Sequence, residues 1–210
     1  MEYNVVETFH SLKGEGLYTG LNMFFIRLSG CNVSCSFCDT PHDTFTTMSI
    51  KDLLFESLME PVKNIIITGG EPTMHNLVPL VDALHTMNYK VHLETNGTIN
   101  TDAAFDWIAI SPKNLNCRDK MVHKADEIKF LCDNTKNWKQ FIQDFRGNFR
   151  CTYEPQRLIY LMPVTKGANQ QQERSWNDII EDNVKDAIKY CHDNNYFRYC
   201  VQLHKVLKVQ

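Results

Sequence analysis

No stretch of this 210-residue chain is apolar for the roughly 18 residues that a membrane-spanning helix requires. The N-terminal segment MEYNVVETFHSLKGEG carries acids and glycines where a secretory leader needs a continuous apolar core. The chain is therefore expected to be cytoplasmic, with no membrane partner. A Lys/Arg block is also missing: 22 basic residues against 25 acidic ones leave a net charge of −3. That balance argues against nucleic acid as the main partner and leaves room for a small or acidic ligand held by one or two placed cations. Internal repeats, low-complexity tracts and obvious linkers are absent, so a single domain over residues 1–210 is expected. What is present is ordinary core material, 43% hydrophobic against 22% charged residues.

Eight cysteines could form a disulfide framework, but in a cytosolic chain of this length a tight cysteine triplet reads better as metal or cluster binding. Cys117, Cys132, Cys151, Cys191 and Cys200 are scattered without ligand spacing and are expected to be reduced, mostly buried and structural. Cys31, Cys35 and Cys38 differ: they follow the apolar run Met23–Ser29 with the spacing C-x₃-C-x₂-C. Three thiolates so close can each take one corner of a [4Fe–4S] cube. No fourth cysteine follows in the loop, so one iron stays open to a ligand that is not protein. A structural zinc site with His42 as fourth ligand is the alternative, since Cys₃His is a common zinc set.

Strand-like and helix-like segments alternate along the chain. Strands are expected at Met23–Ser29, Lys63–Thr68, Tyr89–Thr95, Trp107–Ser111, Glu127–Leu131, Arg157–Met162 and Phe197–Leu203. Helices are expected at Ser49–Glu60 (with Ser49 as N-cap), His75–Met87, Asn134–Phe145 and Trp176–His192. The polar stretches 114–124 and 165–174 read as surface loops. Repeated βα units imply a parallel sheet. A complete eight-unit barrel takes ~250 residues, so an α/β fold with an open, partial TIM-like barrel of about six parallel strands and outer helices is expected. Ligands bind at the C-terminal ends of such strands. There the chain places the cysteine loop, Gly69-Gly70-Glu71-Pro72, Glu94-Thr95-Asn96-Gly97-Thr98, Ser111-Pro112-Lys113 and Gln202-Leu203-His204-Lys205.

The cysteine loop followed by GGEP resembles the radical S-adenosylmethionine (SAM) superfamily. Three further features, FHSLKGEG over Phe9–Gly16, the Cys38-Asp39-Thr40 step and the C-terminal Gln-x-His-Lys, narrow the resemblance to the 7-carboxy-7-deazaguanine synthases of queuosine and deazapurine biosynthesis. The similarity runs from residue 7 to the C-terminus. It implies a lyase whose open iron chelates SAM; one electron then splits a carbon–sulfur bond, and the adenosyl radical takes a hydrogen atom from substrate. The implied reaction converts 6-carboxy-5,6,7,8-tetrahydropterin to 7-carboxy-7-deazaguanine and releases ammonia, with Mg²⁺ as a further cofactor. A flavodoxin- or ferredoxin-type electron donor and a homodimer are implied in the same way.

The resemblance also implies roles for individual residues. Cys31, Cys35 and Cys38 would hold the cluster and Thr40 the Mg²⁺, whose remaining ligands are waters and substrate oxygens; read alone, Thr40 is a loop residue or helix cap. Phe37, Asp39, Gly69, Gly70, Glu71, Ser111, Pro112 and Lys113 would bind SAM. Without the family, Phe37 is a core aromatic, Gly69–Pro72 a turn into a helix and Ser111–Lys113 a loop start. Leu12, Lys13, Gly14, Glu15, Arg27, Thr68 and His204 would bind substrate. The family more usually has Gln at position 13. Glu15 suits the guanidine-like edge of a pterin, because a carboxylate accepts two parallel N–H bonds. Arg27 shares one strand face with Met23 and Phe25; facing a barrel interior it needs an anion, either a substrate carboxylate or an ion-pair partner. A lone histidine such as His204 is as often structural, and Lys205 beside it is equally open. Two rival readings are a glycyl-radical-activating enzyme with the same cysteine spacing, and a zinc-binding interaction module.

Overall fold

The computed structural model describes residues 1–36, 38, 40, 44–133, 137–149, 157–164 and 181–207. Phe37, Asp39, His42, Cys151, the loop at 165–174 and the expected helical stretches 134–136 and 176–180 lie outside them.

The apolar runs read from the sequence form the centre of one mixed sheet. Strands β1 (Glu2–Leu12), β2 (Asn22–Leu28), β3 (Thr46–Ser49), β4 (Asn64–Gly69), β5 (Lys90–Thr95), β6 (Trp107–Ile110), β7 (Glu127–Cys132), β8 (Leu158–Pro163) and β9 (Phe197–Tyr199) stand in the order β3-β1-β2-β4-β5-β6-β7-β8-β9. From β2 through β4 to β9 every pairing is parallel. β1 runs antiparallel between β2 and β3. Among the described residues β3 and β9 are the two ends of the order, so the barrel is open. Among the described residues seven strands lie in the parallel portion, close to the expected six, and the antiparallel pair at the edge is an addition to the expected plan.

Helices α1 (Ile50–Leu58), α2 (Val78–Thr86), α3 (Asp119–Lys124), α4 (Trp138–Asn148), α5 (Glu181–Asp193) and α6 (Leu203–Leu207) fill the connections. Ser49 caps α1 as expected, in a reciprocal capping box: Asp52 N–H donates to Ser49 Oγ at 3.3 Å and Ser49 N–H to Asp52 Oδ2 at 2.8 Å. The helix expected from His75 starts later, at Val78. Pro72-Thr73-Met74 forms a separate 3₁₀ turn, and Pro79 fits the first turn of α2, where no N–H bond is lost. The last expected strand, 197–203, ends at Tyr199, and Leu203 opens α6 instead. No helix among the described residues is long and apolar enough to cross a membrane.

Side-chain alternation sorts the two faces of the sheet. Phe24, Ile26 and Leu28 of β2, Ile65 and Ile67 of β4, Val91 and Leu93 of β5, and Ile128 and Phe130 of β7 join one apolar core with Leu53, Leu80, Val81, Leu84, Ile142 and Phe145 of the helices. Each such side chain stabilises the fold by ~1.5–3 kcal/mol on burial. The intervening residues face inward: Phe25 and Arg27, Ile66 and Thr68, Glu94, and Lys129 and Leu131 all line a central cavity. A core of this kind leaves the inner face free to be polar.

Candidate active site

The cavity encloses about 690 Å³. One end is formed by the loop after β2, which carries Cys31, Cys35, Cys38 and Thr40 to its rim. This loop is pinned by its neighbours. Glu71 N–H donates to Gly30 O at 2.8 Å, His75 Nε2 meets Ser29 O at 2.9 Å, and Asn32 bonds both Asn96 (3.0 Å) and Thr98 (2.8 Å). Cys31, Cys35 and Cys38 form no disulfide, and each is part-exposed. They also surround a smaller hollow together with Asn32, Val33 and Ser34. Among the described residues no three His, Cys, Asp or Glu side chains converge on a single-ion site. Three soft thiol donors around a hollow suit the corners of an iron–sulfur cube.

Gly69 and Gly70, at the end of β4, line the same cavity, and intramolecular approach alone demands glycine there. A Cβ on Gly69, at φ +143°, would stand 2.0 Å from Leu28 O, and one on Gly70 2.1 Å from Gly30 O. Glu71 is fully buried and does not line the cavity. Its carboxylate accepts from Thr73 N–H (3.0 Å), Thr95 Oγ (2.7 Å), Asn96 N–H (2.7 Å) and the Thr73 hydroxyl, so it locks the end of β4 to the end of β5. Pro112 also lies off the lining, whereas Ser111 and Lys113 belong to it. Lys113 Nζ donates to Ser111 Oγ at 2.7 Å, and burial lowers its ammonium below the ordinary lysine range, against opposing pulls from Cys35 and Glu15.

The FHSLKGEG segment sits differently from the other motifs. It spans the end of β1 and the loop into β2, at the N-terminal end of that parallel strand, and its loop enters the barrel from below. Backbone bonds from Lys13 N–H to Leu21 O (2.7 Å) and Gly20 N–H to Lys13 O (2.8 Å) close this loop on itself. Inside, it is tied to the sheet: Lys13 Nζ pairs with Glu94, Glu15 with Lys129, and Leu17 N–H with Glu127 Oε2 at 2.9 Å. Gly16, at φ +74°, lies so close to Glu127 that a Cβ would meet its carboxylate at 2.2 Å. Tyr18 stands edge-on to His92 and to Trp107, each ring centroid 4.9 Å away. The loop thus floors the cavity with Leu12, Lys13, Gly14 and Glu15.

The residues after β9 wall the open side. Leu203 N–H donates to Gly14 O at 2.8 Å, Gly16 N–H to Cys200 Sγ at 3.3 Å, and Gln202 Nε2 to Glu15 Oε1 at 2.8 Å. Lys205 Nζ in turn donates to Gln202 Oε1 at 2.6 Å. Glu15, read as open to a ligand, therefore already carries two protein partners, Lys129 and Gln202. Arg27 also has a partner in the chain. Its Nε donates to Glu7 Oε1 at 2.7 Å, and its guanidinium lies 5.6 Å from the Phe9 ring centre.

The sequence reading passed over Lys129, Glu127 and Glu7. Lys129 is 1% exposed and bridges Glu15 (2.8 Å) and Glu94 (2.6 Å). Burial pushes the Glu15 carboxyl up, but the ammonium groups of Lys129 and Lys13 outweigh it and hold Glu15 well below the ordinary range. Glu94 is lowered for the same reasons. Burial would lower the Lys129 ammonium; Glu15, Glu94 and Glu127 raise it well above the usual lysine value instead. Over the cavity lining, Lys13, Arg27, Lys113, Lys129 and Lys205 outnumber Glu7, Glu15 and Glu94, an excess that suits anionic ligands.

Comparison with known proteins agrees with this architecture. The family model described as the radical SAM superfamily matches residues 25–155. The chain is 36% identical over 143 residues to 7-carboxy-7-deazaguanine synthase of Synechocystis sp., an alignment covering 66% of this chain and 69% of that protein. With the enzyme of the same name from Bacteroides thetaiotaomicron it shares 43% over 113 residues, 54% of this chain and 62% of the other. The crystal structure of QueE from Escherichia coli superposes with a TM-score of 0.80 at 27% identity, covering 97% of this chain and 95% of that one. The chain belongs to the radical SAM superfamily and, within it, to the family of the 7-carboxy-7-deazaguanine synthases. It is an enzyme of the lyase kind, and its superfamily implies a [4Fe–4S] cluster and SAM.

Proposed function

We propose that this enzyme converts 6-carboxy-5,6,7,8-tetrahydropterin to 7-carboxy-7-deazaguanine in a Mg²⁺-dependent ring contraction. The substrate equals the product plus ammonia atom for atom, so no net oxidant or reductant is consumed. One observation carries the reading: a cavity lined at one end by three cysteines has, at its other end, a buried floor of alternating carboxylates and ammonium groups. Such a floor matches a ring whose edge carries both N–H donors and a carbonyl acceptor.

Cys31, Cys35 and Cys38 hold the cluster, and when bound the cluster and SAM supply the one-electron and radical chemistry. Ser111 and Lys113 offer a hydroxyl and an ammonium to the ribose and carboxylate of SAM, and the Gly69-Gly70 backbone borders its amino group. Glu71 acts by locking the strand ends that carry these groups. Phe37 and Asp39 complete the SAM side by family resemblance. Arg27, beside Thr68 in strand register, receives the substrate carboxylate. Thr40 supplies a neutral oxygen to Mg²⁺, which keeps waters and takes its other ligands from substrate. Leu12, Lys13, Gly14, Glu15 and His204 surround the ring. The whole site lies within one domain spanning residues 1–210. The working enzyme is a cytoplasmic homodimer reduced by a flavodoxin- or ferredoxin-type donor.

The test is an anaerobic assay of the reconstituted enzyme with SAM, dithionite, Mg²⁺ and the carboxy-tetrahydropterin, read by mass spectrometry. Carboxy-deazaguanine is expected, lost in Cys35→Ala and reduced after chelation of Mg²⁺. Release of 5′-deoxyadenosine without carboxy-deazaguanine would keep the radical chemistry and reject the substrate. About four irons and four sulfides per chain, against a single zinc, separate a cluster from a zinc module.

A further inference from the structure

Lys129 stands in the middle of a strand whose neighbours Ile128 and Phe130 are wholly buried in the apolar core, yet its own side chain is buried on the opposite, cavity side. We infer that Lys129 is a positioning residue: its ammonium, shared between Glu15 Oε2 at 2.8 Å and Glu94 Oε2 at 2.6 Å, fixes two carboxylates side by side as acceptors for the N–H-rich edge of a planar heterocycle. The inference rests on the pterin reading above and deepens it by assigning the groups that recognise the ring.

The two carboxylates come from separate elements, the floor loop and β5. Without a cation between them they would repel and neutralise by taking up protons. Lys129 prevents this with two of its three donors. Among the described residues each carboxylate then has one further hydrogen-bonding partner, Gln202 on Glu15 and Lys13 on Glu94. A carboxylate offers about four lone-pair sites, so both keep accepting capacity toward the cavity they line. Arg27 lies on β2, with three strands between it and β7. A ligand with a donor edge at one end and a carboxylate at the other is thereby held in one orientation, ring toward Glu15 and Glu94, carboxylate toward Arg27. A purely structural pin for the floor loop would not need both carboxylates in the lining, since Glu127 already holds that loop through Leu17 N–H.

The test is calorimetric binding of the carboxy-tetrahydropterin to the cluster-loaded, SAM-bound enzyme between about pH 6 and pH 8, with steady-state kinetics alongside. The other titratable groups facing the pair are Lys13, Lys113, His92, His204, Glu127 and Cys200, so each variant is compared with wild type at every pH. Wild-type affinity is expected to be flat over this range. Lys129→Met is expected to bind about tenfold more weakly or worse, with a further loss toward pH 6 as the uncompensated carboxylates take up protons. KM should rise more than kcat falls, and Lys129→Arg should restore most of the affinity. Wild-type affinity in Lys129→Met, or a loss of equal size at every pH that Lys129→Arg does not mend, overturns the inference. Should Lys129→Met fail to fold, Glu94→Gln decides, because affinity unchanged by loss of one acceptor overturns it as well. If the wild-type enzyme binds no carboxy-tetrahydropterin, the substrate reading falls first and this inference falls with it.

Discussion

The ring of His204 occupies the space that a side chain at position 14 would need: a Cβ on Gly14 would stand 2.0 Å from its Nδ1. Gly14 also accepts a bond from Leu203 N–H, so the floor loop and the start of α6 fit only if one of them is a glycine. Gly14→Ala is expected to displace the histidine from the cavity wall. No residue of α6 is fully buried, so the fold should lose only ~1 kcal/mol while substrate KM rises several-fold. Thermal unfolding and KM would be measured in Gly14→Ala and in Gly14→Ala/His204→Ala. Recovery of stability in the double variant would identify the clash; equal instability in both would refute it.

Glu71 is the lock between β4 and β5. Glu71→Ala would strip partners from the N–H groups of Thr73 and Asn96, each costing ~1–3 kcal/mol when left buried and unsatisfied. Urea unfolding should show a loss of several kcal/mol in Glu71→Ala and a smaller one in Glu71→Gln. Near-wild-type stability in Glu71→Ala would mean that these bonds form equally well to water.

His92 gives stability a dependence on pH. Burial, and then the ammonium of Lys13, lower its pKa from 6.5 to about 4. The folded enzyme keeps the imidazole neutral while the unfolded chain takes up a proton near 6.5, so the unfolded state binds more protons between the two values. This contribution is complete above pH 6.5, is lost progressively as pH falls toward about 4, and changes no further below that. Denaturation series for the wild type and His92→Leu should diverge in slope across this window. Parallel curves would show that the ring titrates alike in both states.

Ser49 tests the helix cap apart from chemistry. Ser49→Ala removes the acceptor for Asp52 N–H and should cost ~1 kcal/mol with turnover unaltered. A fall in kcat would instead couple α1 to the cavity.

The parallel strands were legible because runs such as Ile65-Ile66-Ile67 are continuously apolar, as strands buried under helices on one face and inside the sheet on the other often are. β1 was not legible, since EYNVVETFHSL alternates only partly and lies on the antiparallel side of β2, where burial is lighter. β3, TTMS, is too short to carry a pattern. The cysteine loop and GGEP were visible as motifs, and so were the residues of the floor loop. That this loop rises from the opposite end of the barrel depends on the turn between β1 and β2, which no spacing in the sequence reports. Lys129 and Glu127 were invisible for a simpler reason. In EIKFLC the alternation of polar and apolar residues is what a solvent-facing strand shows, and only the position of β7 inside the sheet turns that outward face into the cavity.

Gln202 reaches back across 187 positions to Glu15, and Leu203 to Gly14. During synthesis β2 can pair with β1, β3 with β1 and β4 with β2, and β5 to β8 each with the strand before it, as they emerge. The wall that Gln202 and His204 contribute follows only after β9. A growing chain therefore carries its cysteine loop long before the side wall of the cavity has been made.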